Sequence, residues 1–172
     1  MAWSECGSEE GDMFKVDGKQ VCASCLHGGR EPFRIYPIGI VRNDIKRIPG
    51  SFRVKAEGKK SVIEIFPSQE RFMKHLDEEK YITIVFYLHE TGNVHSVFCR
   101  GWDGKEVGVF ASRTPNRTSR IAVSDVKLVS VEGSSITVEG LDAVDGSPVI
   151  DIKMSHPRYG MGSGNEKNIK DK

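Results

Sequence analysis

Between Gly108 and Ser124 the chain reads Gly-Val-Phe-Ala-Ser-Arg-Thr-Pro-Asn-Arg-Thr-Ser-Arg-Ile-Ala-Val-Ser, so Arg113, Arg117 and Arg120 place three guanidiniums within eight residues. Planar, permanently charged forks at that density suit a phosphate or a carboxylate. The same pattern describes a solvated hairpin edge, and spacing alone leaves both readings open. Asn116-Arg117-Thr118 also spells a glycosylation acceptor, which has no meaning without secretion. A second group is carboxylate: Asp142 and Asp145 bracket a turn at Gly146, and Pro148 opens the next apolar run. Asp-Gly turns form for local reasons because Asp bonds its own backbone, so spacing alone assigns this pair to structure. His89 and Glu90 end the apolar run that begins at Tyr81. A strand-end imidazole is either a satisfied rim residue or a ligand or base.

Thiols form the remaining group. Cys22-Ala-Ser-Cys25 has the spacing that lets two thiolates and two backbone amides wrap one zinc ion. With Cys6-Gly7 upstream and Asp17-Gly18 turning the chain between, residues 1–30 resemble a treble-clef or ribbon-like zinc bead in which Trp3 stands where the first cysteine of the leading knuckle would be. The expected ligand set for Zn2+ is Cys6, Cys22 and Cys25, with His27 nearest for the fourth place. The alternative is an unstructured arm that carries thiols, because the segment is Gly-rich, charged and too poor in apolar residues to fold without a staple. A redox role is disfavoured because no βαβ context surrounds the pair, and Cys99 reads as a buried strand residue.

These groups need a scaffold, and from Phe33 onward the character of the chain supplies one. FRIYPIGIV, SVIEIF, YITIVFYL, VHSVFC, EVGVFAS, IAVSDVKLVSV, SITVEG and SPVIDIK are short runs rich in Val, Ile, Phe and Tyr. Such runs are strands, and Glu57-Gly58, Asp103-Gly104, Glu132-Gly133 and Asp145-Gly146 separate several of them with turn chemistry. The fold expected is mainly β: a small antiparallel barrel of about seven or eight strands. One short amphipathic helix interrupts it over residues 68–80, where Phe72, Met73 and Leu76 follow a Ser N-cap. With 172 residues the chain holds one core plus appendages. The divisions are 1–30, the zinc-bead-like segment; 33–156, the barrel; and 160–172, a flexible tail.

Charge is balanced, with 25 Lys+Arg against 24 Asp+Glu and a net charge of +1, so bulk charge does not mark a nucleic-acid binder and any basic surface is local. No apolar run reaches the roughly 18 residues of a membrane span, and the first residues lack the charged-then-apolar ramp of a secretory signal. A soluble, cytoplasmic chain without a membrane partner is expected.

Five blocks, taken in order, resemble the TsaA/TrmO family: Tyr36-Pro-Ile-Gly-Ile-Val-Arg-Asn43, Ile63-Glu-Ile-Phe-Pro67, the strand ending in His89-Glu90, Gly108-Val-Phe-Ala-Ser-Arg-Thr-Pro115, and Gly140-Leu-Asp-Ala-Val-Asp-Gly-Ser-Pro-Val-Ile-Asp-Ile-Lys153. The resemblance implies a β-barrel methyltransferase that works as a homodimer. It would use S-adenosyl-L-methionine to methylate N6 of threonylcarbamoyl adenosine beside the anticodon of tRNA. It further implies that His89, Glu90, Arg113, Leu141 and Asp142 meet the cofactor. Arg117, Ser119 and Arg120 would then face the substrate, while Asp142 or Asp145 could accept the acceptor's proton. No G-x-G-x-x-G loop is present, as suits a cofactor without phosphate. The chain departs from the family where Arg-Pro-Asn-Pro-Ile-Gly is usual and Arg117-Thr-Ser-Arg-Ile-Ala122 stands, and again at Met154-Ser155 in place of Pro-Tyr. Both changes fall on the acceptor side. The alternatives are a methyltransferase of the same fold with another acceptor, and a non-catalytic module that binds S-adenosyl-L-methionine or zinc.

Overall fold

Strict alternation along Tyr81–Tyr87 sends Ile82, Ile84 and Phe86 inward, all essentially without solvent exposure, and the partly exposed residues between them outward. That two-residue period recurs around a closed barrel. The computed structural model describes residues 12–46, 56, 58–101 and 103–155. Among these the strands are β1 Met13–Val16, β2 Lys19–Cys22, β3 Gly39–Arg42, β4 Lys60–Ile65, β5 Tyr81–Tyr87, β6 Val97–Cys99, β7 Glu106–Gly108, β8 Ile121–Glu132, β9 Ser135–Glu139 and β10 Pro148–Met154, with the helix α1 at Ala23–His27. Barrel order is β10-β3-β4-β9-β8-β5, closing on itself, with every pairing antiparallel.

The expected barrel is therefore present, closed by six of the eight forecast strands. The other two, β6 and β7, pair only with each other, as a ribbon of three residues per strand. Because the ribbon faces no core, Cys99 on β6 is exposed rather than buried. Long β8 serves two neighbours: its first half pairs with β5 and its second with β9, and the register shifts between Leu128 and Ser130. Such an irregularity bends a strand and lets a small sheet close. The forecast strand from Phe33 begins only at Gly39, and Phe33 and Tyr36 before it stand exposed.

Val41, Ile63, Ile65, Val126, Ile136, Val138, Leu141, Ala143 and Val149 join the inward residues of β5 in one core. Each large side chain fully withdrawn from water contributes on the order of 1.5–3 kcal/mol. Gly39 is fixed by this packing, since a Cβ there would lie 2.5 Å from the carbonyl oxygen of Glu64 on β4. Gly133 and Gly146 occupy the left-handed region, at φ +57 and +79, where the forecast turns need it.

Two expectations change. Residues 68–80 do not form an α-helix: a 3-10 turn runs over Pro67–Met73, Lys74 ends it at φ −54 and ψ 125, and a second turn covers Leu76–Glu78 behind His75 at φ +63. Only Met73 and Leu76 of this segment pack against the core, while Phe72 is exposed. Two anchors three residues apart do not need the longer face of an α-helix.

The described part of the N-terminal segment, by contrast, folds as a β1–β2 hairpin followed by α1. Its small core of Val16 and Val21, flanked by Phe14 and Leu26, is completed by Val94 of the barrel domain. Apolar surface missing from the segment itself is thus supplied by a distant part of the chain. Cys6 and the tail 160–172 lie outside the described residues. No helix among the described residues is long and apolar enough to cross a membrane.

Candidate functional site

The connection from β9 to β10, residues 140–147, touches three barrel strands in turn. Leu141 and Ala143 point into the core, so Asp142 between them is turned outward, where its carboxylate accepts a short hydrogen bond from the Ser124 hydroxyl of β8. Beyond β3, Asn43 grips the same connection: its backbone N–H donates to Asp145 Oδ1 at 3.1 Å, and its amide nitrogen donates to Ala143 O at 3.0 Å and to Ser61 Oγ at 2.9 Å. At the end of β5, His89 Nδ1 lies 3.4 Å from Ser147 Oγ. A Cβ on Gly146 would sit 3.7 Å from His89 Nε2. Glu90 Oε1 is 4.0 Å from that same nitrogen.

These contacts sort the forecast residues. His89, Gly146 and Ser147 meet at one rim of the barrel, and Asp142 presents a carboxylate that retains free lone pairs. Asp145 accepts from the backbone of Asn43, a structural role, but a long-range one and not the bond to its own backbone that its spacing suggested. Leu141 is wholly buried, backbone and side chain alike, so it shapes the connection from within the core and offers no exposed surface of its own.

The arginine loop is held by its own guanidiniums. Arg117 donates from Nε to Thr114 O at 3.0 Å and from Nη2 to Ser112 O at 2.6 Å and Val109 O at 3.4 Å. These bonds make the side chain a staple of its own loop, so that Nε and Nη2 are spent on backbone carbonyls. Arg120, at φ +51, accepts at its carbonyl from Leu88 N at 2.8 Å and donates from Nη2 to Gly92 O at 3.4 Å, tying the loop to the end of β5. Ser119 is exposed. Arg113 is exposed too, and with Phe110, Ala111 and Ser112 it lines an open cleft of about 410 Å³. Phe110 is 83% exposed, a large apolar face beside a cation.

Further along the same loop, Thr114 and Asn116 are buried, and neither Thr114 Oγ1 nor Asn116 Oδ1 finds a hydrogen-bond partner among the described residues. A buried orphan costs about 1–3 kcal/mol, so a pair of them within three residues marks a place where a ligand's polar groups would be welcome. Sequence reasoning passed over this pair, because Asn116 read only as part of a sequon. It also passed over Asn43, Ser124 and Ser147. Small polar residues are too common for spacing to single out; only membership of the Tyr36–Asn43 and Gly140–Lys153 blocks pointed to Asn43 and Ser147.

No three His, Cys, Asp or Glu side chains among the described residues are grouped to hold a metal ion. Cys22 caps α1, its Sγ accepting from Cys25 N at 3.4 Å. His27, the last residue of α1, packs edge-on against Phe14 with ring centroids 5.5 Å apart and does not join the two thiols as the expected fourth ligand.

Residues 45–159 match the family described as the tRNA-methyltransferase O N-terminal domain. A relative from Methanothermobacter thermautotrophicus, named "Probable S-adenosyl-L-methionine-binding protein", is 39% identical over 124 residues, covering 70% of this chain and 88% of its own. The mouse tRNA (adenine(37)-N6)-methyltransferase is 35% identical over 92 residues, covering 52% of this chain and 21% of its own. A crystal structure of TrmO from Pseudomonas aeruginosa superposes with a TM-score of 0.59 at 24% identity, covering 82% of this chain and 64% of that one. The chain spans 32% of the length of another relative, from Archaeoglobus fulgidus.

Proposed function

The chain belongs to the tRNA-methyltransferase O N-terminal domain family, and from that premise we propose that it is an S-adenosyl-L-methionine-dependent methyltransferase acting on an adenosine of tRNA. The acceptor in this reading is N6 of threonylcarbamoyl adenosine next to the anticodon. The name of the Methanothermobacter relative supports the cofactor, and that of the mouse relative supports N6 of a tRNA adenine as the acceptor position. The observation that carries the reading is a single loop that presents Phe110 and Arg113 at an open cleft and, a few residues on, holds Thr114 Oγ1 and Asn116 Oδ1 without partners among the described residues. An amino acid joined to a nucleoside offers what these groups lack: amino and hydroxyl donors for Asn116 and Thr114, a carboxylate for Arg113, and an aromatic ring for Phe110.

Bound S-adenosyl-L-methionine supplies a methyl group already activated on a sulfonium. The chain's own task is then alignment rather than heavy acid-base chemistry. Arg117 holds the loop in shape, so Arg113 and Phe110 are presented without reorganisation. A nitrogen that gains a methyl group must lose its proton, and Asp142 is the acceptor best placed, since Ser124 occupies only part of its bonding capacity. His89, beside Ser147 and Glu90 just past the end of β5, is the further polar group that the reading assigns to the cofactor. A second copy would cover exposed Phe33, Tyr36 and Phe110 in a homodimer, which sedimentation analysis tests.

A different acceptor is favoured by one observation: Ser119 and the left-handed Arg120 stand where the family has Asn and Pro, and Arg117 is consumed within the loop. Calorimetric titration with S-adenosyl-L-methionine tests the cofactor reading. Wild type binds and Arg113→Ala does not; equal affinity in the two proteins removes Arg113 from the site.

A further inference from the structure

Among the described residues, the hairpin that precedes the barrel is hydrogen-bonded to the short segment 94–96, and that segment is also bonded to the arginine loop. On the hairpin side, Val94 N donates to Lys15 O at 2.8 Å and Asp17 N donates to Val94 O at 3.0 Å, forming a parallel bridge between Val16 and Val94. Asp17 Oδ1 then accepts from Ser96 N at 2.9 Å, with His95 Nδ1 3.7 Å away. On the other side, His95 N donates to Asn116 O at 3.1 Å and Val109 N donates to Ser96 O at 3.1 Å. Consecutive residues thus bond alternately to the hairpin and to the loop.

The two loop contacts fall on sensitive places. Asn116 bears one of the buried orphan atoms, and Val109 precedes Phe110 and is also bonded by Arg117. A shift of residues 94–96 therefore moves both the cleft wall and the orphan group further along the loop. Val94 is buried between Val16 and Val21, so hairpin and segment move as one body.

We propose that the N-terminal hairpin is a positioning element of the cleft, and that Asp17 is the positioning residue that transmits its placement through residues 94–96 to Asn116 and Phe110. The structural part stands on geometry alone; its effect on S-adenosyl-L-methionine rests on the function proposed above.

Because Asp17 sits at φ +48, glycine removes its carboxylate without adding backbone strain, and asparagine keeps an oxygen acceptor in the same conformation. The experiment compares wild type, Asp17→Gly and Asp17→Asn in the full chain, by amide exchange over residues 109–120 without ligand and by calorimetry with S-adenosyl-L-methionine. In Asp17→Gly the loop amides exchange faster, and affinity falls about five-fold, as expected for one lost hydrogen bond of ~1 kcal/mol. Asp17→Asn restores both toward wild type. A purely local role for Asp17 would raise exchange in residues 13–22 alone, with loop exchange and affinity unmoved, and that result overturns the proposal. Equal damage from both variants likewise overturns the assignment to the Asp17 acceptor. If wild type fails to bind S-adenosyl-L-methionine, the function reading falls, and the exchange comparison still decides whether the hairpin positions the loop.

Discussion

Replacing Arg117 with alanine separates a loop staple from a substrate contact. The guanidinium makes three hydrogen bonds to backbone carbonyls, at 3.0, 2.6 and 3.4 Å, the last at the edge of useful geometry. A charged donor contributes roughly 1.5–3 kcal/mol per good bond, and partial solvent access reduces that, so Arg117→Ala is expected to loosen the loop by about 2–4 kcal/mol. The barrel core lies elsewhere, so global unfolding shifts less than the local opening of residues 109–117. Hydrogen exchange on the ligand-free protein reads that opening directly. The salt dependence of tRNA binding supplies the second measurement. Each phosphate contact contributes to the log–log slope, and a side chain on a phosphate lowers it by about one unit when removed. A staple leaves the slope unchanged while affinity for both cofactor and tRNA drops. Unaltered loop exchange together with a slope lowered by one unit would refute the reasoning and return Arg117 to the substrate surface.

Three further outcomes follow from the geometry. Gly39→Ala forces a methyl group to within 2.5 Å of Glu64 O, and because that neighbour is backbone, a loss of about 1–3 kcal/mol is expected in chemical denaturation. Asp142→Asn, a nearly isosteric change at an exposed position, is expected to lower the methyl-transfer rate while leaving cofactor affinity near wild type. Asp145→Asn should instead leave the rate intact, because its oxygen still accepts from Asn43 N.

The barrel was legible because it obeys a two-residue period: every apolar run forecast as a strand contains one, and Gly133 and Gly146 turn where expected. What periodicity does not encode is closure. Nothing in Val97–Cys99 or Glu106–Gly108 distinguishes a ribbon from two staves, since that depends on which edges of β5, β8 and β10 are already taken. Residues 68–80 misled because Phe72, Met73 and Leu76 satisfy a helical spacing that the core does not use, with Phe72 left in solvent. The N-terminal hairpin was illegible for a different reason: its own apolar residues are too few, and the missing one, Val94, lies some 70 residues downstream.

At the site, His89, Arg113 and Asp142 were visible as residue types within recognisable blocks. Arg117 was visible as a charge, but charge alone does not say whether a guanidinium faces water or its own backbone. Thr114 lay within the Gly108–Pro115 block and Asn116 just after it, but their lack of partners was hidden, because an unsatisfied atom is a property of packing and not of composition.

Transfer of a labelled methyl group from S-adenosyl-L-methionine to tRNA tests the central claim most directly, with tRNA prepared both with and without the threonylcarbamoyl group. Label is expected in the adenosine beside the anticodon of the modified tRNA and absent from the unmodified one. Label in both tRNAs alike would assign the enzyme another acceptor, and cofactor binding without label in either would contradict the methyltransferase account.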